Sequence, residues 1–351
     1  MDNSNFLYDL FGGVNGWAVT FAILLPLGFV LIYALVAILA ELKVSAWIQE
    51  RLGPMRTGPW GILQPVAEVI KLLQKEDITP DRANKLLYNA APFIIFTGAY
   101  SAFAVIPFSQ AYTPASINLG LFYIFAVGSI SALGIVMGGW ASNNKYSLMG
   151  AMRSVAQLIS YEVPAAIAVL SVVVLTSSMD LQQISTMQSG WFWNWYIFGG
   201  PGSAAKWIIF PFTVILFITY FISSLAETNR VPFDIPEGES ELVAGFHTEY
   251  SGIKFAMFFF AEYANMFVVA AILTTVFLGG WNSPFGDFMQ GPVWGAFWFI
   301  LKGFSIVLVQ IWIRWTLPRF RVDQLMYLGW KVLLPAAFVC FFAISLFVML
   351  K

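Results

Sequence analysis

A chain of 351 residues that is 59% hydrophobic and 11% charged, with a formal charge of −1, cannot take water as its main solvent. Its apolar runs reach the roughly 20 residues that a helix needs to cross about 30 Å of hydrocarbon, and the alternating segments of a membrane barrel are missing. The reading is an all-α, polytopic integral membrane protein, a single membrane domain over residues 1–351, and a soluble globular fold is excluded.

In chain order, the opening "MDNSNFLYDLFGGVNGW" has no basic n-region, and the apolar run after it is long enough to span. The first span is therefore expected to be kept rather than cleaved as a signal peptide. Hydropathy predicts eight spans, near 17–40, 91–107, 119–140, 155–176, 207–227, 255–280, 293–314 and 331–350, which puts both termini on one side. Every lysine and arginine except Lys206, Lys302 and Lys351 falls in or beside the connections that follow the odd-numbered spans. That bias predicts those connections in the cytoplasm and both termini outside. The opposite connections, such as "SGWFWNWYIFGGPGSAAK", are rich in indole rings that suit the headgroup layer and read as anchors.

The first cytoplasmic connection, 41–90, is too long for a turn. Within it Ile62, Leu63, Val66, Val69, Ile70 and Leu73 recur at helical spacing, interrupted by Glu68, Lys71 and Lys75, as in an amphipathic helix lying along the interface. Taken alone, such a helix serves equally well as a loop anchor. Further on, "GIVMG" at 134–138 marks a close helix contact.

Four ionisable groups sit in or at the ends of predicted spans: Glu162 in "ISYEVPAAIAVL", Glu227 closing the fifth, Glu262 in "FFFAEYANMF" and Lys302 in "FWFILKGFSIVL". A charge at mid-bilayer costs at least about 2.5 to 3.5 kcal/mol, so such groups face the bundle interior, pair, or line proton and ion routes. Glu227 and Glu162 can also snorkel from span ends. Glu262 lies about 10 Å into its span at 1.5 Å per residue, too deep for a short side chain to reach water. For Lys302, snorkelling or a pair with Glu162 or Glu262 competes with proton transfer.

The connection 227–254, "ETNRVPFDIPEGESELVAGFHTEYSGIK", gathers Glu227, Asp234, Glu237, Glu239, Glu241 and Glu249 around Arg230 and the chain's one histidine, His247. Neighbouring carboxylates raise one another's pKa, so a partly buried set titrates as a coupled unit that can hold and pass protons. A wet acidic hairpin is the plain alternative. His247 stands apart from other ligand types and reads as a satisfied loop histidine. No Walker A pattern, G-x-G-x-x-G after a strand, H-E-x-x-H or Cys/His cluster occurs. The single cysteine, Cys340, allows no intrachain disulfide and no Cys-ligated cluster within the chain, so a redox metal would belong to a partner. Composition leaves two classes open, an autonomous proton-coupled transporter and the membrane subunit of a redox complex. The halves show no repeat of the transporter kind.

The stretch "ETNRVPFDIPEGESELVAGFHTEYSGIKFAMFFFAEY" closely resembles the signature of the H-type membrane subunit of respiratory complex I, the proton-pumping NADH:quinone oxidoreductase, whose mitochondrial counterpart is called subunit 1. "ELKVSAWIQERLGP", "GPWGILQPVAEVIKLLQKE", "LISYEVP" and "TLPRFRVDQLMYLGWKVLLP" agree in the same order. The resemblance implies the membrane side of a quinone tunnel, with quinone, ubiquinone or menaquinone, as substrate and neither flavin nor iron–sulfur cluster in this chain. It implies partners among the other complex I subunits, the hydrophilic iron–sulfur and quinone-site subunits and the antiporter-like membrane subunits, in a bacterial cytoplasmic membrane. By the family's motifs, Glu41, Lys71, Arg230, Phe233, Asp234, Glu237, Glu239 and Glu241 fall at the quinone chamber, and Glu162, Glu227, Glu249 and Glu262 on the proton path. The amphipathic helix becomes a tunnel wall. Two departures touch the tunnel entrance: the family's Glu-Arg-Lys reads Glu41, Leu42, Lys43, and its Gly-Pro-Asn reads Gly53, Pro54, Met55. The membrane subunit of a related energy-converting hydrogenase or deazaflavin dehydrogenase is the alternative within the superfamily.

Overall fold

The computed structural model of the protein describes residues 16–201, 206–236, 238–286 and 288–350, without the side chains of Ala18, Glu239 and Ser240. The helices are, in chain order, α1 (Gly16–Ile48), α2 (Gln64–Gln74), α3 (Lys85–Ala102), α4 (Gly120–Ala141), α5 (Lys145–Thr176), α6 (Leu181–Met187), α7 (Lys206–Glu227), α8 (Glu239–Leu242), α9 (Gly252–Phe277), α10 (Pro292–Thr316), α11 (Val322–Tyr327) and α12 (Leu334–Leu350). A π-helical turn, Leu328–Leu333, fuses α11 to α12. Among the described residues, eight helices are long and apolar enough to cross a membrane, the last being the fused α11–α12. The fold is the expected all-α membrane bundle.

Helix ends overrun the expected spans. α1 continues to Ile48, so Glu41 and Lys43 ride on a helix and not in a loop. α5 begins at Lys145, and the last span begins at Val322. Hydropathy reads only the hydrocarbon thickness, whereas "LAELK" is made of good helix formers and no glycine or proline interrupts the chain from there to Ile48, so the helix runs on past it.

The centre of the bundle is α9. Within its most apolar window 72% of residues are buried, against 22–44% in the other spans. It packs against α1, α2, α3, α7 and α10, and Ala261, Ala264, Ala270 and Ala271 on it are at most 1% exposed. Small residues let backbones approach where lipid supplies no hydrophobic drive between helices. The same device joins α3, α4 and α5. A Cβ at Gly134 would meet Ile95 Cγ1 at 2.3 Å, and one at Gly139 would meet Ala151 Cβ at 2.3 Å and the Ser147 carbonyl at 2.9 Å. In the 134–138 motif it is thus Gly134 that needs to be glycine, since Gly138 would make only contacts of 3.4 Å or more.

α2 forms where the apolar spacing places it and packs on α1 and α9. Ile62, Leu63, Val66, Ile70 and Leu73 remain 38–58% exposed, an apolar face turned away from the rest of the chain. The connection after α7 is pinned beneath the bundle. Phe233 is buried in edge contact with Tyr161, ring centroids 5.2 Å apart, and also meets Phe320 at 5.6 Å.

Gly139→Ala is expected to destabilise the detergent-solubilised protein by the overpacking cost of about 1–3 kcal/mol and so lower its thermal midpoint, because neither neighbour of the added methyl is a flexible side-chain end. Gly28→Ala, whose Cβ would meet nothing within 4 Å, should melt as wild type. Equal midpoints for the two variants would remove the close-packing account.

Candidate functional site

Two polar groups are built into this apolar bundle, and they share one residue. The first surrounds Glu41, buried near the end of α1. Its Oε2 accepts from the Tyr263 hydroxyl of α9 at 2.5 Å and from Arg230 Nη1 at 3.5 Å, while Oε1 pairs with the Arg314 guanidinium of α10. Arg230 itself is 3% exposed. Its Nη2 lies 3.7 Å from Glu262 Oε2, and its guanidinium sits 4.7 Å over the Tyr263 ring. Four segments thus bring two carboxylates and two guanidiniums together with balanced formal charge. Removing one partner of such a set leaves a buried charge uncompensated.

The second group lines a partly open cavity of about 50 Å³ where α4, α5, α7 and α9 meet. Glu162, Glu227 and Glu262 all border it, among Ser131, Asn229 and Asn265. The volume admits a few waters. Ser129 Oγ donates to Glu162 Oε1 at 2.8 Å, and a Cβ at Gly128 would lie 3.7 Å from Glu227 Oε1, so α4 contributes the wall next to both acids. Glu262 belongs to the cavity and to the Arg230 cluster at once. Its neighbour in sequence, Tyr263, reaches Glu41.

The other expected site residues lie elsewhere. Glu249 does not border the cavity; its Oε1 accepts from Asn144 Nδ2 at 2.6 Å, and Asn144 also caps α5 through the Tyr146 amide. Its carbonyl accepts from the Tyr88 hydroxyl at 2.7 Å, while the Tyr88 and Tyr250 rings stack at 4.2 Å. Glu249 is therefore part of the clamp that holds the acidic connection to α3 and α5. Glu241, 51% exposed at its side chain, bridges Arg153 at 2.6 Å and Arg319 at 3.3 Å. The hydrogen bond from Arg153 holds its carboxyl below the usual carboxylate range. It borders a recess of about 560 Å³ with Arg319, Arg321 and Asp323. Phe233 serves as core, Asp234 is half-buried beside it, and Lys71 is exposed on α2. Glu237 lies outside the described residues, as does the side chain of Glu239. His247 is half-buried, edge-on to Phe246 at 4.8 Å and near Phe255 at 5.4 Å.

Lys302 pairs with neither Glu162 nor Glu262. Its Nζ donates to the carbonyls of Leu278 at 2.8 Å, Gly280 at 3.0 Å and Asn282 at 2.6 Å, and lies 4.2 Å from the centre of the Trp195 ring. Leu278 is the C-cap of α9, where the carbonyls lack helical partners and carry the negative end of the helix dipole, and Gly280 and Asn282 lie in the turn after it, so this ammonium ties down the chain that leaves α9.

Sequence reasoning missed Arg314 and Tyr263 as site residues. Arg314 looked like one more loop charge at a span end, and a tyrosine among phenylalanines gave no signal; only the adjacency of Tyr263 to Glu262 could have pointed to it. Among the described residues, no group of three metal-ligating side chains is placed to hold a metal ion.

Arg230→Met should destabilise the protein by about 3–5 kcal/mol, as loss of one partner in a buried charge set does, and Tyr263→Phe by about 1.5–3 kcal/mol for a hydrogen bond to a charged acceptor. Thermal melts of the two variants check this order; an unchanged melt for Arg230→Met would contradict the network. For Glu241 the folded-state pKa is depressed, so its contribution is present above the unfolded carboxylate value of about 4 and is lost only as pH falls through the lower folded value. Amide exchange over 238–250 should therefore hold steady from pH 7 into that range and quicken below it, after correction for intrinsic rates. In Glu241→Gln the break should vanish.

A family model described as NADH dehydrogenase matches residues 21–345. A protein of Chlorobium luteolum, named as the H subunit of NADH-quinone oxidoreductase, is 53% identical over 328 residues, 90% of this chain and 86% of its own length. A namesake in Chlorobaculum parvum is 52% identical over 335 residues, 92% and 90% of the two chains. An H subunit of NADH-quinone oxidoreductase in Cytophaga hutchinsonii, one that carries the number 2 in its name, is 45% identical over 346 residues, 90% and 95%.

Proposed function

Because the chain belongs to the family of NADH dehydrogenase membrane proteins that includes the H subunit of NADH-quinone oxidoreductase, we propose that its buried charge network couples quinone reduction to proton movement. The chain is a membrane subunit of that enzyme complex; the hydrogenase-type and transporter alternatives are not favoured by relatives of this identity. The NADH site lies outside this chain. The observation that carries the reading is the double membership of Glu262, in the Arg230 cluster and in the acid cavity.

Reduction of a quinone takes up two electrons and two protons and leaves a neutral quinol, and protons drawn from neighbouring groups change the charge on those groups. We assign the chamber side to Glu41, Arg230 and the exposed apolar face of α2, which suits an isoprenoid tail, together with Lys71, Phe233, Asp234 and Glu241, and we assign Glu237 and Glu239 to it by the family's motif alone. Arg230 stands between Glu41 and Glu262 at nearly equal distances, 3.5 and 3.7 Å. When Glu41 is protonated, the guanidinium is freed to stabilise ionised Glu262, and a nearby cation favours the charged form of a carboxyl. Glu262 then releases its proton into the cavity toward Glu227 and Glu162. Recharging Glu41 reverses the preference. Arg314 and Tyr263 keep the Glu41 carboxylate oriented for that exchange, and Glu249 shapes the connection.

The remaining assignments follow the same premise. The acidic connection faces the cytoplasm of a bacterial cell, with the termini outside, and receives the hydrophilic arm bearing flavin and iron–sulfur clusters. Antiporter-like subunits take protons onward through the membrane. The quinone is ubiquinone or menaquinone, since both carry an isoprenoid tail.

In the purified, reconstituted complex, Glu262→Gln should assemble and lose proton pumping by about tenfold or more, the scale of a lost proton-transfer group, as read by a pH-sensitive dye during NADH oxidation. Wild-type pumping in an assembled Glu262→Gln complex would overturn the reading. Copurifying flavin and iron–sulfur absorbance checks the partners, and nickel in their place would point to a hydrogenase.

A further inference from the structure

A larger recess lies toward the end of the bundle opposite the acids. α7 and α10 both pack on α9, and between them runs an open groove of about 470 Å³. Its walls include Phe217 and Phe221 on α7, Trp195 from the connection before that helix, and Trp298, Lys302 and Val309 on α10. From Trp298 to Val309 the groove follows α10 for about 16 Å at 1.5 Å per residue, close to half of the roughly 30 Å of hydrocarbon and so one leaflet deep. Val309 is 41% exposed, so the trough is open at the surface of the bundle. The polar groups gather at one end. Lys302 Nζ reaches the Leu278 carbonyl, where α9 closes after 26 residues. A helix of that length measures about 39 Å and outruns the hydrocarbon, so the ammonium snorkels to the headgroup layer. All three of its hydrogen bonds go to carbonyls and, among the described residues, none goes to a carboxylate. The Trp195 ring lies 4.2 Å from Nζ, and neither the Trp195 nor the Trp298 indole N–H has an acceptor among the described residues. An indole N–H can only donate, and indoles settle in the headgroup layer.

We propose that this groove binds an anionic phospholipid of the leaflet at that end of the bundle, with one acyl chain lying between α7 and α10 and the phosphate at Trp195, Trp298 and the Lys302 charge. Charge complementarity selects the headgroup: a cation that meets only carbonyl dipoles, beside two donors without acceptors, matches a phosphate diester that carries a net negative charge. The three hydrogens of Lys302 are already engaged, so the ammonium acts through its charge and the indoles supply the hydrogen bonds. Shape selects the tail. A helix with its side chains is about 10–12 Å across, whereas a groove of this volume and length has room for a chain of methylenes and not for a partner helix. Water does not suit the trough, whose lower walls offer it too few polar partners. The bound tail fills the gap between the helix that ends in Glu227 and the helix that carries Arg314. The site is independent of the proton-coupling assignment.

The test uses the assembled complex, extracted in mild detergent and returned to phosphatidylcholine vesicles doped with one of two photoactivatable probes, a phosphatidylglycerol or a phosphatidylcholine with the same diazirine on the same acyl chain. Cross-linked peptides are then identified by mass spectrometry. The phosphatidylglycerol probe should label the peptides that hold Phe217, Phe221 and Val309 about fivefold more than the zwitterionic probe, the effect of one basic side chain at an anionic lipid. Peptides on the exposed face of α12, at Val339, Phe342 and Leu346, should take both probes alike. Trp298→Phe, which keeps an aromatic ring and removes the N–H, should lower groove labelling about fivefold, the scale of one hydrogen bond. Val309→Trp, which fills the trough, should bring it down to the level of α12; if that variant fails to assemble, Trp298→Phe decides alone. Equal labelling of the groove by the two probes, or groove labelling no stronger than that of α12, would overturn the proposal. So would labelling that Trp298→Phe leaves unchanged, or a groove whose residues cross-link to another subunit in place of the probe.

Discussion

The arrangement depends on one guanidinium. Arg230 is buried where the chain leaves α7, within reach of Glu41 on α1 and Glu262 on α9, and such a charge is tolerable in an apolar bundle only while carboxylates surround it. Water would screen these charges within a Debye length of about 8 Å at physiological ionic strength. Inside the bundle they are screened far less, and the two acids share one cation.

The fold serves that constraint. α9 can sit at the centre because alanines line it, and it carries Glu262 and Tyr263 side by side, one toward the cavity and one toward Glu41. Glycines on α4 bring α3 and α5 close, and Gly128 leaves room beside Glu227. The connection after α7 holds its shape by burying Phe233 and by clamping Glu249 and Glu241 to α5 and to the segment after α10. Lys302, at the other end of the bundle, is occupied with the carbonyls of Leu278 at the end of α9 and of Gly280 and Asn282 in the turn beyond it.

Much of this was legible in sequence for physical reasons. Apolar runs long enough to span have few alternatives, so eight spans and an amphipathic α2 followed directly. Glu162, Glu227 and Glu262 stood out because a carboxyl is expensive in hydrocarbon, and the cavity they share is what that cost implies. Partnerships were not legible. Glu41 meets an arginine 189 positions away and a tyrosine 222 away, and nothing local in the chain encodes such a meeting. The same gap hid Arg314, counted as a loop charge, and left Lys302 open to an acid partner, because orphan carbonyls at a helix end depend on where neighbouring helices stop. Glu249 looked like one more member of an acidic set until Asn144 was seen beside it.

A double-mutant cycle on proton pumping between Glu41→Gln and Glu262→Gln, in the assembled and reconstituted complex, tests the shared guanidinium most directly. Residues joined through one charge network are non-additive. The account predicts that the double variant pumps no worse than the poorer single variant. Losses that multiply, as for independent sites, would contradict it.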